Sequence, residues 1–292
     1  MIERLLLVVV PVVLVALLGW WIAGRMRPNL ADVNRLNMDV FTPALIIMSL
    51  SSREFDLRAA WPVALASVIV VLGSGVVAWA AARLMKVDPR DFVPSMMFNN
   101  CGNMGLPLAY LAFGGEGLQV MVVLFVTSNL LMFTVGTRLV RGRVAWGEAL
   151  ANPMVLATVA GAVLGAWRVE IPAMVAPALR MLADLCVPLM LLSLGVRMRD
   201  LRPADWKLPL AGAVVCPLSG LLIAPVAVLL LPLTDIQQGA LWVFAALPPA
   251  VLNFLMAERY QRASQQVASI VLVGNLASLV VVPPVLAYAM AR

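Results

Sequence analysis

The chain has 292 residues, of which 63% are hydrophobic and 12% charged, and its net charge is +6. A soluble domain of this length cannot bury so much apolar surface, so we predict an all-α protein that crosses a membrane many times. Histidine is absent, which excludes imidazole as a catalytic group or proton relay. The basic residues are spread over short loops and form no patch, so we expect no nucleic-acid partner.

The N-terminus begins with an apolar run. Met1–Arg4 leads into a stretch that reaches Ala23 without a small-residue cleavage site, which predicts a retained first span rather than a signal peptide. Apolar stretches then recur along the whole chain. We predict ten membrane spans at about 4–24, 31–52, 60–82, 92–113, 117–138, 152–168, 174–196, 208–232, 238–257 and 265–290.

The fourth segment contains residues that an ordinary spanning helix avoids. They are three asparagines, two glycines and a proline: Asn99, Asn100, Asn103, Gly102, Gly105 and Pro107. Proline offers no N–H to the carbonyl four residues back, and an unpaired backbone group in hydrocarbon costs several kcal/mol. We therefore predict a helix that breaks at Gly105 to Pro107, with the three asparagines on one side of the helix ahead of the break.

A second interruption lies in the ninth segment, where Pro248 and Pro249 are followed one turn later by Asn253. Two broken helices in corresponding positions are typical of secondary transporters. The N–H groups and positive dipole ends of the half-helices would form an anion site that amides complete. The alternative is that these amides only join neighbouring helices. Asn129 and Asn275 either line the same cavity or brace the crossing.

The sequence also repeats itself at half its length. Several residues recur 145 positions later, namely Arg35 as Arg180, Asp39 as Asp184, Pro43 as Pro188, and Gly75 as Gly220. With five spans in each copy, the second copy enters the membrane from the opposite face. We predict two inverted five-helix repeats, residues 1–146 and 147–292, whose broken fourth and ninth helices cross near the midplane.

Two charged pairs lie within predicted spans. A charge in the bilayer costs at least ~2.5 kcal/mol on insertion scales, so we expect Arg35 to pair with Asp39. Arg180 and Asp184 have the same spacing and the same expectation. The alternative is that an aspartate takes up a proton or cation, or that an arginine contacts a substrate carboxylate. Asp184 is the stronger candidate because it lies deeper in its span.

Basic residues favour one side of the predicted membrane. The odd-numbered loops contain Arg25, Arg27, Arg83, Lys86, Arg90, Arg138, Arg141, Arg143, Arg197, Arg199, Arg202, Lys207, Arg259 and Arg262. The other side contains Arg4, Arg53, Arg58, Arg168 and Arg292. This bias predicts cytoplasmic odd-numbered loops and places both termini on the non-cytoplasmic side of the cell membrane.

These patterns resemble the auxin efflux carrier family over most of the chain. The matching residues are Asn100 with Gly105-Leu106-Pro107-Leu108, Ala246-Leu247-Pro248 with Phe254, Ala257 and Tyr260, Asn34-Arg35 with Pro43, and Asp184 with Ser193-Leu194-Gly195. Asn253 and Pro188 depart from the plant members, and the loop from Arg141 to Leu150 is shorter than in many of them. The resemblance favours a compact permease of the bacterial type, similar to those associated with malate and malonate.

The resemblance implies an elevator-like carrier with the inverted-repeat fold of bile-acid symporters and sodium/proton antiporters. Spans 1, 2, 6 and 7 would form a scaffold that dimerises, and spans 3–5 and 8–10 a mobile transport domain. Asn100, Pro107 and Pro248 would be crossover residues, and Asp184 would belong to the scaffold face.

We therefore predict a secondary active transporter that moves a small organic anion, a carboxylate, across the bilayer without a cofactor. The coupling ion would be a proton or a sodium ion. The expected substrate-binding residues are Asn99, Asn100, Asn103, Gly105, Pro107, Pro248, Pro249, Asn253, Asn129 and Asn275. The alternatives are a sodium-coupled symporter of the bile-acid type and an ion channel. An enzyme is disfavoured because only carboxylates and one cysteine are available near the break.

Overall fold

The computed structural model describes residues 2–26, 28, 30–52, 57–144, 146–199 and 206–291. Within these residues the regular structure is helical, apart from one isolated β-bridge. The α-helices are α1 (Ile2–Met26), α2 (Leu30–Leu36), α3 (Thr42–Leu50), α4 (Leu57–Met85), α5 (Pro89–Met97), α6 (Leu106–Leu131), α7 (Thr137–Arg141), α8 (Trp146–Leu150), α9 (Pro153–Ala166), α10 (Ala176–Met198), α11 (Lys207–Leu230), α12 (Asp235–Ala246), α13 (Val251–Arg259) and α14 (Ser264–Met290).

Three π-helical turns interrupt the α-helices. They are Asn37–Phe41 between α2 and α3, Cys101–Gly105 at the start of α6, and Met132–Gly136 between α6 and α7. Four arginines that the loop-charge count uses, Arg27, Arg53, Arg202 and Arg292, lie outside the described residues, as does the side chain of Arg4.

Six stretches of helix are long and apolar enough to cross a membrane: Leu5–Met26, Arg58–Met85, Cys101–Arg141, Ala176–Met198, Lys207–Leu230 and Ser264–Met290. Large apolar side chains on them face outward, and Leu7, Val76 and Leu229 are 66%, 70% and 86% exposed. Such exposure is stable in lipid, because lipid tails are as apolar as the side chains. The chain is a multi-pass membrane protein.

The longest of these stretches, Cys101–Arg141, has 41 residues and would be about 60 Å long as a straight helix, twice the hydrocarbon thickness. It is not straight, because Gly114 has φ 69° and ψ −153°. A methyl group on Gly117 would meet the carbonyl oxygen of Ala109, eight residues earlier. The chain therefore reverses direction at Gly114, where the sequence predicts the end of one span and the start of the next.

Two helix pairs pack closely in the same way. A Cβ on Gly195 in α10 would collide with the backbone of Ala16 in α1. A Cβ on Gly161 in α9 would meet Leu50 in α3 at 3.0 Å. Residues 16 and 161 are 145 positions apart, and so are residues 50 and 195. Small residues let helix backbones approach closely in membranes, and here they do so at corresponding points of the two halves.

Both predicted breaks occur, but the first lies earlier than expected. The helix α12 ends at Ala246 and α13 begins at Val251, so Pro248 and Pro249 lie in the break. The helix α5 ends at Met97, and Phe98 and Asn100 have non-helical dihedral angles.

The prediction of a break at Gly105 to Pro107 is therefore wrong, because the π-helical turn accommodates the proline. Within this turn, Leu106 N donates to Cys101 O. The wider register carries the helix past Pro107, whose nitrogen has no hydrogen to donate. Asn99 and Asn100 consequently lie in the break itself, and only Asn103 lies on a helix.

Candidate functional site

The two breaks contact each other through their backbones. Asn99 and Pro249 form an antiparallel bridge. Asn100 N donates to Pro248 O at 2.6 Å, and Ala250 N donates to Phe98 O at 2.9 Å. Broken helices inside a membrane need partners for the backbone groups that the break frees. Each break supplies those partners to the other.

Asparagine side chains reinforce this contact. Asn100 Nδ2 donates to Asn275 Oδ1 at 2.7 Å, and Asn275 Nδ2 donates to Pro249 O at 3.0 Å and to Val271 O at 2.7 Å. We call the group formed by Asn100, Asn275 and Pro249 the amide clasp. It ties α14 to both breaks, and Asn100 and Asn275 are each 3% exposed.

Two further asparagines donate to backbone carbonyls across the breaks. Asn253 Nδ2 donates to Phe98 O at 2.8 Å, and Asn99 Nδ2 donates to Phe244 O at 2.5 Å. The side-chain oxygens of Asn99 and Asn253 are buried and have no hydrogen-bond partner among the described residues. Each amide therefore uses its donor for the fold and keeps an acceptor unused.

A cavity of about 100 Å³ lies beside the breaks. A water molecule needs about 10–15 Å³ by the same measure, so the cavity can hold a small molecule. Its polar lining residues are Asn34, Asn37, Thr42, Asn99, Asn100, Asn103, Ser128, Asn129 and Arg197. Its apolar lining residues are Met38, Phe98, Cys101, Gly102, Phe125, Met132, Met154, Met190, Ala250, Val251, Leu252 and Leu255.

The helices that follow the breaks both begin at this cavity. Cys101–Asn103 is the first turn of one, and Ala250–Leu252 is the start of the other. The first N–H groups of a helix carry partial positive charge and favour anions. Two positive helix ends therefore meet at one cavity, as the sequence predicts from the interruptions.

Arg197 is the one charged side chain among the described residues that line the cavity. It lies in the last turn of α10, and the side chain is half-buried. No described carboxylate or other acceptor pairs with its guanidinium. The sequence predicts Arg197 in the loop after the seventh span, and this is wrong, because α10 continues to Met198 and Arg197 lies in its last turn.

The structure separates the predicted site residues into two groups. Asn99, Asn100, Asn103 and Asn129 line the cavity. The others lie outside it, in the breaks or in the packing around them: Gly105, Pro107, Pro248, Pro249, Asn253 and Asn275. Asn129 Nδ2 donates only to Phe125 O, at 3.0 Å within its own helix, and no described residue forms a hydrogen bond with the Asn103 side chain.

Sequence reasoning misses five polar lining residues, Asn34, Asn37, Thr42, Ser128 and Arg197. Asn37 is 4% exposed, and its side-chain oxygen has no partner among the described residues. The one available signal was polarity within an apolar segment. All three π-helical turns contribute lining residues, in keeping with the frequent occurrence of such turns at functional sites.

The two charged pairs behave differently. Arg35 Nε lies 3.5 Å from Asp39 Oδ2, which is the predicted local pair. The expected pair of Arg180 and Asp184 does not form, and both side chains are exposed. One turn of separation permits contact but does not require it, since long side chains at an exposed face have other rotamers. None of the four residues lines the cavity.

An ion-pair group outside the membrane spans holds the ends of the broken helices. Arg262, after α13, donates from Nε to Asp91 Oδ1 and from its terminal nitrogen to Asp88 Oδ2, both at 2.7 Å. The backbone N–H of Arg90 and the guanidinium of Arg262 lower the pKa of Asp88. The start of α5 is thereby joined to the loop that follows α13.

Comparison with known proteins identifies a family. The model of the membrane transport protein family, which comprises the auxin efflux carriers, matches residues 5–149 and again residues 140–286. The two matches together span nearly the whole chain and confirm the resemblance inferred from the motifs. No curated protein matches the chain.

Proposed function

Because the chain belongs to the auxin efflux carrier family of membrane transport proteins, we propose that it is a secondary carrier for a small organic anion, a carboxylate, in the cell membrane. One observation supports the anion above all. Two positive helix ends and Arg197 meet at a cavity whose described lining includes no carboxylate. A guanidinium forms charge-assisted, often bidentate hydrogen bonds with a carboxylate.

The proposed architecture has ten spans in two inverted repeats, 1–146 and 147–292. The close contacts 145 residues apart and the reciprocal pairing of the breaks support it. Spans 1, 2, 6 and 7 would form a scaffold that dimerises, and the remaining spans a transport domain. The cavity includes residues from both proposed domains, such as Asn37 and Arg197 from the scaffold and Asn103 and Asn129 from the transport domain.

The mechanism that we propose is alternating access by an elevator movement. A substrate bound between Arg197 and the helix ends contacts both domains, so sliding of the transport domain would separate it from Arg197 and release it. A proton or sodium gradient would drive the cycle. The cavity volume favours a substrate of a few heavy atoms over a bile acid, since ligand pockets for drug-sized molecules measure about 300–1,000 Å³.

The test is counterflow of labelled malate or malonate in proteoliposomes, with unlabelled carboxylates, indole-3-acetate and taurocholate as competitors. Arg197→Gln removes the charge and is expected to lower substrate affinity about 10- to 100-fold, the loss expected for a charge-assisted hydrogen bond. Imposed proton and sodium gradients then identify the coupling ion. Saturable exchange blocked by small carboxylates is the expected result.

The matched control is Arg199→Gln. Arg199 stacks over Trp20 at 4.6 Å and donates to Trp20 O, and it does not line the cavity. Arg199→Gln removes one positive charge, as Arg197→Gln does, but at a residue outside the cavity, so exchange should persist. Equal exchange in the wild type and in Arg197→Gln would exclude the arginine from the site, and conductance without saturation would indicate a channel instead.

A further inference from the structure

The backbone hydrogen bonds between the two breaks are reciprocal. This reciprocity shows which residue of the second repeat is equivalent to each residue of the first. Asn100 N donates to Pro248 O, and Ala250 N donates to Phe98 O. Residue 98 therefore corresponds to 248 and residue 100 to 250. The following helical turns begin at Cys101 and Val251, with an asparagine at the third position of each, Asn103 and Asn253.

Asn129 and Asn275 also correspond. Each is followed by leucine, and each donates from Nδ2 to the carbonyl four residues earlier, at 3.0 Å to Phe125 and at 2.7 Å to Val271. That bond fixes the direction of each amide and leaves its oxygen available to a donor. At Asn275 the donor is Asn100 Nδ2, at 2.7 Å.

The corresponding donor is missing at Asn129. Ala250 stands where the correspondence places Asn100, and a methyl group has no hydrogen to donate. Ala250 and Asn129 both line the cavity. We call Asn253 and Asn275 the closed side, because their amides bond across the breaks. We call Asn103 and Asn129 the open side, because neither bonds across the breaks to a described residue.

We propose that Ala250 opens the substrate cavity, and that the substrate donates a hydrogen bond to Asn129 Oδ1 in the place that Asn100 Nδ2 occupies at Asn275. This inference rests on the proposed function for its carboxylate and extends it to specificity. The preferred substrate is a carboxylate that also carries a hydroxyl or N–H group.

The first experiment measures competition in counterflow by malate and by succinate, which differ only in a hydroxyl group. The wild type is expected to prefer malate by about 10- to 100-fold, because a site built to bond a hydroxyl rejects the analogue that lacks it. In Asn129→Leu this preference should fall toward one. Equal competition by the two acids in the wild type would overturn the donor requirement.

The second experiment restores the missing amide with Ala250→Asn. The new side chain should bond Asn129 as Asn100 bonds Asn275, raising the melting temperature of the detergent-solubilised protein by about 2–4 °C and abolishing exchange. Ala250→Leu fills a similar volume without a donor, so it should block exchange without the thermal gain. Adding Asn129→Leu to Ala250→Asn should remove the gain.

These readouts separate the two proposals. If the wild type exchanges no carboxylate, the proposed function fails, while the thermal shift of Ala250→Asn still tests how the cavity is opened. If the wild type exchanges carboxylates and Ala250→Asn does so equally well, Ala250 does not open the substrate site. A thermal gain that survives the loss of Asn129 would likewise overturn the correspondence.

Discussion

The closed side and the open side of the two breaks use the same residues for different purposes. Asn253 and Asn275 donate to carbonyls of the opposite or adjoining break and are each 3% exposed. Asn103 and Asn129 hold corresponding positions and line the cavity. One alanine in place of an asparagine accounts for much of the difference. A duplicated framework can therefore bond one side across the breaks and leave the amides of the other side for a ligand.

The largest expected effect is the loss of stability on substituting Gly220. Its equivalent in the first repeat is Gly75, and the two glycines lie in the helices that precede the two broken ones. A Cβ on Gly220 would collide with the carbonyl oxygen of Ala245, whereas one on Gly75 would meet the flexible end of Met97 at 3.1 Å. Gly220→Ala should lower the free energy of unfolding by about 3 kcal/mol or more, because overpacked backbone cannot yield. Gly75→Ala should cost less than about 1 kcal/mol, since methionine adapts.

Thermal unfolding of the two variants in one detergent measures this contrast. Equal losses of stability in the two variants would contradict the prediction. A collision with backbone would then cost no more than contact with a flexible side chain.

The next largest effect is the difference in stability between the leucine variants of Asn275 and Asn129. Asn275→Leu removes the acceptor of Asn100 and the donor to Pro249 O, and leaving buried polar groups unpaired costs about 1–3 kcal/mol each. Asn129→Leu loses one bond within its own helix and should cost about 1 kcal/mol or less. We expect Asn275→Leu to fold poorly and Asn129→Leu to fold well but to lose substrate preference.

Size-exclusion profiles and melting temperatures of both leucine variants test this order. A stable Asn275→Leu with normal exchange would mean that the amide clasp does not hold the breaks together.

The smallest effect concerns the ion-pair group. Arg262→Gln should lower stability by less than about 1 kcal/mol, because exposed ion pairs contribute little and Asp88 is 49% exposed. The corresponding helix start at α12 uses a neutral capping box of Thr234 and Gln237. Thr234→Ala therefore provides a charge-independent comparison.

The sign of the pH dependence follows from the lowered pKa of Asp88. Its stabilising contribution is present above the ordinary aspartate pKa of 3.8 and is lost as pH falls through the lower folded value. Wild type and Arg262→Gln should differ in melting temperature at pH 6, and the difference should shrink as the pH falls below 3.8. Thr234→Ala should keep its difference from the wild type across that range.

Some sequence expectations depended on local chemistry and succeeded for that reason. Proline disrupts helix continuation, and the second break does lie at Pro248 and Pro249. The first break did not follow Pro107, because a π-helical turn absorbs a proline in the first turns of a helix. The pairing of Arg35 with Asp39 followed from spacing, whereas the same spacing left Arg180 and Asp184 apart.

By itself, the sequence determined the class of the protein, its family, its internal repetition and the presence of two interrupted helices. These depend on composition, spacing and backbone chemistry, which local patterns reveal. Only the tertiary structure decided that Arg197, Asn129 and Ala250 line the cavity, and that Asn275 bonds across the breaks whereas Asn129 bonds only within its own helix. Those outcomes depend on contacts between residues far apart in the chain, and no local pattern specifies them.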